Sequence, residues 1–212
     1  MMKLKNLGTL SSLSGLFGQT NLTPGAIKTP DQHDSVELAE GQTLCGELDI
    51  RINRDGLWFY HGTPIGRKEL VKLFASVLER DEAGKYWLNT PAEKGEITVE
   101  DVPFQAVELN VEGDNELQIL TFRTNVDDIV IADEVHPIRI ETDPESGEPS
   151  PYVMVRDGLE ARLTRSVFYQ MVDLGVEMGV EKAHGDDKYS EITYGVWSSG
   201  QFFQIGSLTE QA

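Results

Sequence analysis

The chain has 212 residues, of which 39% are hydrophobic and 25% charged, as is typical of a soluble globular protein with one sizeable core or two small ones. Its 36 acidic and 18 basic residues give a net charge of −18, and because such a surface repels phosphate backbones, we expect no nucleic-acid partner. No apolar run is long enough to span a bilayer, and the single cysteine, Cys45, excludes an intramolecular disulfide, so we expect a cytoplasmic protein without a membrane span.

Residues 1–40 are predicted to form a flexible arm and linker. The first 30 residues contain three lysines and no acid, and their leucines recur every three residues, a spacing that spreads around a helix and does not form one stripe. Residues 18–43 are rich in Thr, Pro and Gly, which favours a linker. The alternative is a weak membrane or partner anchor.

Residues 41–134 are predicted to form a first β/helix motif followed by a β-meander. The motif begins with a strand at Ile50–Ile52, an Asp-Gly turn and the aromatic strand Trp58–Tyr60. An apolar stripe from Leu70 to Leu78 at helical spacing predicts a helix that runs from about Arg67 to Asp81. A hairpin that carries Trp87 follows, and alternating residues between 104 and 132 predict the meander.

Residues 135–208 are predicted to repeat the motif. Ile138–Ile140 corresponds to the first strand, and Tyr152–Val155 to the aromatic strand. A helix is predicted from Ser166 to about Gly179, and a hairpin that carries Trp197 closes the chain. Strands in runs with only two helices predict an α+β fold: two similar, mostly antiparallel motifs, each with one amphipathic helix.

Both predicted helices begin at an arginine, Arg67 in the first and Arg165 in the second. A cation at a helix N-terminus is unfavourable, which indicates an anion opposite, either a carboxylate or phosphate ligand or a carboxylate of the chain itself. With the aromatic residues Trp58, Tyr60 and Trp197 they form the predicted ligand-binding set, although large aromatic residues are more often core than cage.

No motif points to a metal, a cofactor or a catalytic nucleophile. The four histidines lie far apart in sequence, the acidic pairs lack the spacing of a Ca²⁺ loop, and neither a P-loop nor a Gly-x-Ser-x-Gly elbow is present. We therefore expect no cofactor and no metal. His61, after the aromatic strand, is the one histidine that we mark as a candidate acid or base.

Several phrases of the sequence resemble an uncharacterised bacterial family, the domain-of-unknown-function family twelve-eighty-five. The phrases are Asp49-Ile50-Arg51-Ile52, Pro64-Ile65-Gly66-Arg67, Thr124-Asn125-Val126-Asp127-Asp128 and Val155-Arg156-Asp157-Gly158-Leu159-Glu160-Ala161, in order over about residues 45–208. The resemblance implies two similar motifs, each an incomplete β-barrel capped by a helix. It also implies a role in signal transduction, and it offers no catalytic residues.

The function that these observations favour is a non-enzymatic, cytoplasmic module with a regulatory role that binds a small anionic ligand or a protein partner. One alternative is a metal-independent enzyme with carboxylate acid/base chemistry at Glu93, Glu100 or Asp101. Another is a structural or assembly protein whose exposed strand edges pair between chains, which includes a homo-oligomer.

Overall fold

The computed structural model describes residues 36–184 and 187–210, so most of the predicted arm lies outside the described residues. The chain uses one order of elements twice, namely three strands, a helix and three strands, with three further strands between the two copies. The prediction of an α+β fold made of two similar motifs is thus confirmed.

The first motif forms one six-stranded sheet in the order β3-β2-β1-β6-β5-β4. Its elements are β1 (Thr43–Ile52), β2 (Trp58–Tyr60), β3 (Thr63–Pro64), α1 (Lys68–Ser76), β4 (Leu78–Arg80), β5 (Tyr86–Asn89) and β6 (Glu93–Val99). Helix α1 buries Leu70, Phe74 and Ala75, which lie at the i, i+4 and i+5 positions of its apolar face. The helix thereby covers the apolar core of the motif.

The meander and the second motif share a six-stranded sheet in the order β10-β11-β12-β7-β8-β9. Its strands are β7 (Phe104–Glu112), β8 (Ile119–Thr124), β9 (Ile129–Ile131), β10 (Ile138–Thr142), β11 (Pro149–Arg156) and β12 (Leu159–Leu163). Strand β12 pairs with β7 in parallel, while the other pairs of this sheet are antiparallel.

The second motif ends in a three-stranded sheet in the order β13-β14-β15. Its elements are α2 (Arg165–Asp173), β13 (Val176–His184), β14 (Asp187–Ser198) and β15 (Gln201–Glu210). Strand β15 contacts β10, so the strands of this motif follow one another as β12-β11-β10 and then β15-β14-β13. This is the strand order of the first motif, which gives the repeat a structural basis.

Three hairpins turn through two residues that both have positive φ. They are His61–Gly62, Asp157–Gly158 and Ser199–Gly200, with φ between 41° and 76°. A two-residue turn with positive φ at both positions matches the right-handed twist of the flanking strands, and glycine at the second position adopts it without strain. The first two turns occupy the same place in the two motifs.

Both helices end earlier than the sequence predicts. Val77 and Leu78 continue the apolar stripe of α1, yet Leu78 lies in β4, opposite Leu88, and the carbonyl of Val77 accepts a hydrogen bond from Asn89. Pairing with β5 thus replaces the next helical turn. Helix α2 ends at Asp173, and the hydroxyl of Tyr194 donates to the carbonyl of Val172 in its last turn at 2.6 Å.

The chain separates into two compact units, and neither unit is one continuous stretch of the sequence. Unit 1 comprises Phe59–Thr98 and the preceding chain up to Arg51, whereas unit 2 comprises Ile52–Trp58 and the chain from Val99 onward. Fully buried side chains form the core of each. In unit 1 these include Phe74, Trp87 and Leu88, and in unit 2 Phe104, Leu120, Phe122, Val153, Leu159 and Met171.

The single cysteine lies on the exposed side of β1. A lone cysteine without basic neighbours is usually a small buried residue, but the alternation of β1 places Cys45 on the exposed side. Partial burial raises the pKa of its thiol, and the negative charge of Glu93 raises it further. The thiol therefore stays protonated at neutral pH.

Candidate functional site

The three aromatic residues of the predicted ligand-binding set have different environments. Trp58 is buried in the core, with 2% of its surface exposed. Trp197 is half-buried, its ring centroid lies 5.3 Å from that of Phe202, and its carbonyl accepts a hydrogen bond from the side chain of Gln118. Tyr60 is half-buried on β2 in unit 1. Trp58 is therefore a core residue that packs against its neighbours, and it offers a ligand almost no surface.

The two predicted arginines are both exposed at the start of a helix. Arg67 precedes α1 and has no ion-pair partner among residues 36–184 and 187–210. Arg165 is the first residue of α2, and its guanidinium lies 2.9 Å from a carboxylate oxygen of Glu148. The two belong to different units, so the predicted set is divided between unit 1 and unit 2.

An open cavity of about 390 Å³ lies entirely within unit 2, and we call it the unit-2 pocket. Its walls come from the turn after β1, from the residues that follow β6, from the β10–β11 turn and from strands β11 and β12. The polar residues that line it include Arg54, Glu100, Asp101, Asp143, Tyr152 and Arg162.

A hydrogen-bonded network centred on Asp101 lies in the unit-2 pocket. The hydroxyl of Tyr152 donates to one carboxylate oxygen at 3.1 Å, and the guanidinium of Arg162 donates to the other at 3.2 Å. Arg162 also donates to the hydroxyl of Ser150 at 3.0 Å. Both oxygens of Asp101 therefore already accept hydrogen bonds, and the charge of Arg162 is balanced within the pocket.

Tyr152 is held from both sides. Burial raises the pKa of its hydroxyl, and the charge of Asp101 raises it further, so Tyr152 remains a hydrogen-bond donor at neutral pH. The guanidinium of Arg139 lies 4.2 Å from the centroid of the tyrosine ring. Arg139 in turn donates twice to the buried carboxylate of Glu160, which raises the pKa of the guanidinium. The orientation of Tyr152 is thus fixed before any ligand arrives.

The β10–β11 turn supplies the acidic wall of the pocket. One oxygen of Asp143 accepts the backbone N–H groups of Glu145 and Ser146 at 3.0 and 2.7 Å. These hydrogen bonds, above all those from Ser146, lower the pKa of Asp143 and keep it ionised. This arrangement is an Asx turn, which explains why an aspartate begins the turn.

The opposite wall is the turn at residues 53–57, which two amide side chains tie to β7. Gln105 donates from its side chain to the carbonyl of Arg54 at 2.9 Å. Asn125 donates to the carbonyl of Gly56 at 3.2 Å and accepts the N–H of Gln105 at 3.1 Å. The N–H of Arg54 donates to Glu100 at 3.2 Å. The turn that carries Arg54 is therefore held by Gln105 and Asn125, which lie far along the chain, and the N–H of Arg54 in turn holds Glu100 at the pocket.

The pocket carries a negative charge. Five carboxylates and two arginines line it; the carboxylates are those of Glu100, Asp101, Glu141, Asp143 and Glu148. Arg139 and Arg165, which lie outside the lining, pair with Glu141 and Glu148 and balance part of this charge. Such a lining attracts a cation and repels an anion. The described residues include no group of three or more His, Cys, Asp or Glu side chains that could hold a metal ion.

Comparisons with known proteins agree with the motifs of the sequence. A model of the N-terminal domain of DUF1285, a domain of unknown function, matches residues 41–102, and a model of the DUF1285 C-terminal domain matches residues 103–205. A solved structure of a DUF1285 family protein from Silicibacter pomeroyi DSS-3 is 46% identical, with a TM-score of 0.68, over 79% of this chain and 84% of that chain. This chain belongs to the DUF1285 family.

A second solved structure is that of a DUF1285 family protein from Shewanella baltica OS155. It is 27% identical, with a TM-score of 0.47, over 59% of this chain and 91% of that chain. No curated protein matches the chain. The two family models and the 46% identical structure confirm the family resemblance seen in the sequence, and the function of this DUF1285 protein is unknown.

The unit-2 pocket combines residues from both DUF1285 domains. Arg54, Glu100 and Asp101 lie in the part that the N-terminal domain model matches, while Tyr152 and Arg162 lie in the C-terminal part. All five nevertheless belong to unit 2. The boundary of the family models therefore passes through the residues of the pocket.

Unit 1 of this DUF1285 protein has an open cavity of its own, of about 400 Å³. The guanidinium of Arg51 lies 4.5 Å from the centroid of Phe59, and both residues line the cavity. His61, the candidate acid or base, has its Nδ1 2.6 Å from a carboxylate oxygen of Asp49. Both members of this pair are more than half exposed, so the surrounding solvent weakens their interaction.

Tyr152 and Arg162 were not among the predicted site residues. Asp101 enters the predictions only through the acid/base alternative, and Arg162 lies in β12, for which no strand was predicted. Alternation in Leu159–Leu163 was the signal for that strand, but it is short. Among the described residues no helix is long and apolar enough to cross a membrane.

Proposed function

We propose that this DUF1285 protein is a non-catalytic, cytoplasmic binding module with a regulatory role, and that the unit-2 pocket binds a small organic cation. The observation that carries the proposal is the excess of carboxylates over arginines in the lining, five against two, around a cavity of about 390 Å³. Pockets for small ligands have volumes of about 300–1,000 Å³, so the cavity suits a metabolite of modest size.

The ligand that fits this lining has an ammonium or guanidinium group. Carboxylates make charge-assisted hydrogen bonds with such groups, and these are about twice as strong as neutral ones. Glu100 and Asp143 line the pocket and have exposed side chains. Thr142 and the hydroxyl of Ser146 offer neutral partners nearby. The ligand would therefore combine a cationic end with hydroxyl or amide groups.

The small anionic ligand expected from the sequence is less well supported at this pocket. Arg162 is paired with Asp101, and Arg165 is paired with Glu148, so neither guanidinium is available without breaking an ion pair. Arg67 lies outside unit 2. An anion site at Arg67 stays a prediction that is independent of the pocket.

The acid/base enzyme remains the second candidate, because Glu100 and Asp101 line the same cavity beside Tyr152. Two observations make it the weaker one. Both oxygens of Asp101 already accept hydrogen bonds from Tyr152 and Arg162. Glu93, the third carboxylate of that hypothesis, lies on β6 in unit 1. A binding role needs only the charge that the pocket already has.

Isothermal titration calorimetry with putrescine, and with the uncharged 1,4-butanediol as its matched control, tests the proposal. We expect putrescine to bind and butanediol not to bind. One unit charge at about 4 Å contributes about 1 kcal/mol in water, so Asp143→Asn, which keeps the side-chain oxygen of the Asx turn, should weaken putrescine binding about fivefold. Glu145→Gln removes the same charge from the same turn, but Glu145 does not line the pocket, and we expect a smaller effect. Equal binding of the two probes, or tighter binding of succinate than of putrescine, would contradict the proposal.

A further inference from the structure

A second surface of unit 2 has aliphatic side chains exposed to solvent where β8 and β9 form the margin of the sheet. Five of them lie in or next to the two strands, and we call them the β9 patch. The exposed fractions are 82% for Leu117, 36% for Ile119, 63% for Ile129, 46% for Ile131 and 72% for Val135. Single exposed aliphatic residues are common, but a group of five at one sheet margin is typical of an interaction site.

The register of the strands explains why the isoleucines of β9 share a face. Thr121 pairs with Ile131 and Arg123 with Ile129, whereas Phe122 pairs with the buried Val130. Side chains alternate along a strand, so Ile129 and Ile131 point away from the core that Val130 enters. The exposure of both isoleucines therefore follows from the pairing.

Strand β9 is also the last strand of its sheet. On either side of it, the carbonyl of Asp128 accepts the N–H of Thr124, and the N–H of Ala132 donates to the carbonyl of Leu120, each at 2.9 Å. Thr124 and Leu120 both belong to β8. Backbone groups alternate in direction along a strand, so the N–H and C=O groups of Ile129 and Ile131 point away from β8. Within residues 36–184 and 187–210, no strand pairs with this outer side. An extended segment can add to it by backbone hydrogen bonds.

The charges around the patch indicate what kind of segment fits. Glu112 lies opposite Ile119, and Glu116 and Glu134 immediately precede Leu117 and Val135. All three glutamates are exposed, and none has an ion-pair partner in the described part of the chain. This acidic rim repels a second copy of a chain whose net charge is −18. It attracts lysine and arginine.

We propose that β9 is a docking edge for an extended segment of a partner protein, one with aliphatic residues flanked by lysine or arginine. The segment adds a strand to β9, places its aliphatic side chains on Ile129 and Ile131, and pairs its basic flanks with the acidic rim. Glu112, Glu116 and Glu134 set the charge of the partner, while the backbone of β9 sets its extended conformation. The proposal does not depend on a ligand in the unit-2 pocket.

The test is fluorescence anisotropy of the full chain with a labelled peptide of sequence Lys-Lys-Val-Ile-Val-Ile-Lys-Lys. We expect binding that weakens as salt is added, because the flanks contribute through screened charges. A peptide with glutamate in place of every lysine should bind at least tenfold more weakly. A peptide N-methylated at alternate residues keeps the apolar groups and the charges but loses the donors, and it should also bind at least tenfold more weakly.

Two variants locate the site. Ile129→Glu should weaken peptide binding at least tenfold. Tyr169→Glu is the matched control, since Tyr169 is 62% exposed and lies on α2 in unit 2, outside the β8–β9 margin, and it should leave binding unchanged. Equal binding of the N-methylated peptide, or an equal effect of the two variants, would overturn the proposal. A dimer of the wild-type chain that Ile129→Glu dissociates would also overturn it, because a second copy would then occupy the edge. So would peptide binding that requires removal of residues 1–35, because those residues would then occupy it.

Discussion

Asn125 is the residue whose removal tests most directly how unit 2 holds its pocket. Asn125→Ala removes two side-chain hydrogen bonds, one from the N–H of Gln105 at 3.1 Å and one to the carbonyl of Gly56 at 3.2 Å. A buried polar group left without a partner costs about 1–3 kcal/mol. Both bonds are part-buried, so water can replace some of each. We therefore expect the free energy of unfolding to fall by about 2–3 kcal/mol in total.

Urea unfolding followed by hydrogen exchange of the 99–130 segment measures this loss in unit 2. Asn110→Ala is the matched control, because Asn110 is exposed on β7 and makes one long contact, 3.4 Å, with Glu112. An exposed substitution of this kind changes stability by less than about 0.5 kcal/mol. If Asn125→Ala were as mild as Asn110→Ala, the two amide bonds would not hold the 53–57 turn, and the reasoning about the pocket wall would fail.

Three further predictions concern single sites. Burial and Asp101 raise the pKa of Tyr152 above its unfolded value, so the stability that it contributes is present below about pH 10 and is lost as the pH rises further. The difference in urea midpoint between wild type and Tyr152→Phe should shrink between pH 9 and 11, and a constant difference would refute this. A Cβ at Gly195 would lie 2.4 Å from the carbonyl oxygen of Phe203, so Gly195→Ala should cost about 1–3 kcal/mol in thermal unfolding, whereas Gly206→Ala, with nothing within 4 Å, should cost far less. The thiol of Cys45 should react with Ellman's reagent more slowly than free cysteine at pH 8, and Glu93→Gln should accelerate it; no acceleration would show that Glu93 is not a cause.

The two helices and most of the strands were predictable because their signals are local. Gly56 marks a turn with positive φ, and alternation marks the strand before it. The helix ends were not predictable in the same way. Val77 and Leu78 fit the apolar stripe of α1, and only their pairing with β5 removes them from it. Such pairing depends on residues beyond the helix, which a periodic pattern does not contain.

The unit-2 pocket was not predictable, because its residues are far apart in sequence. Asp101 meets Tyr152 across 51 positions and Arg162 across 61. What brings them together is the parallel pairing of β12 with β7, in which Ala161 lies opposite Phe104. Parallel pairing needs a long connection and leaves no short turn signal. Arg165 illustrates the opposite case, since its place at a helix start was visible but its partner, Glu148, was not.

The assignment of Ile52–Trp58 to unit 2 has a consequence for synthesis. The carbonyl of Arg54 finds its partner 51 residues later and that of Gly56 finds its partner 69 residues later. At about 5–20 residues per second, the turn waits about 3 to 14 s for these partners to be made. The strands of unit 1 that follow the turn are translated during that interval. Unit 2 thus begins before unit 1 is complete and closes after it, so the nascent 53–57 turn stays without its hydrogen-bond partners while the rest of unit 1 is made.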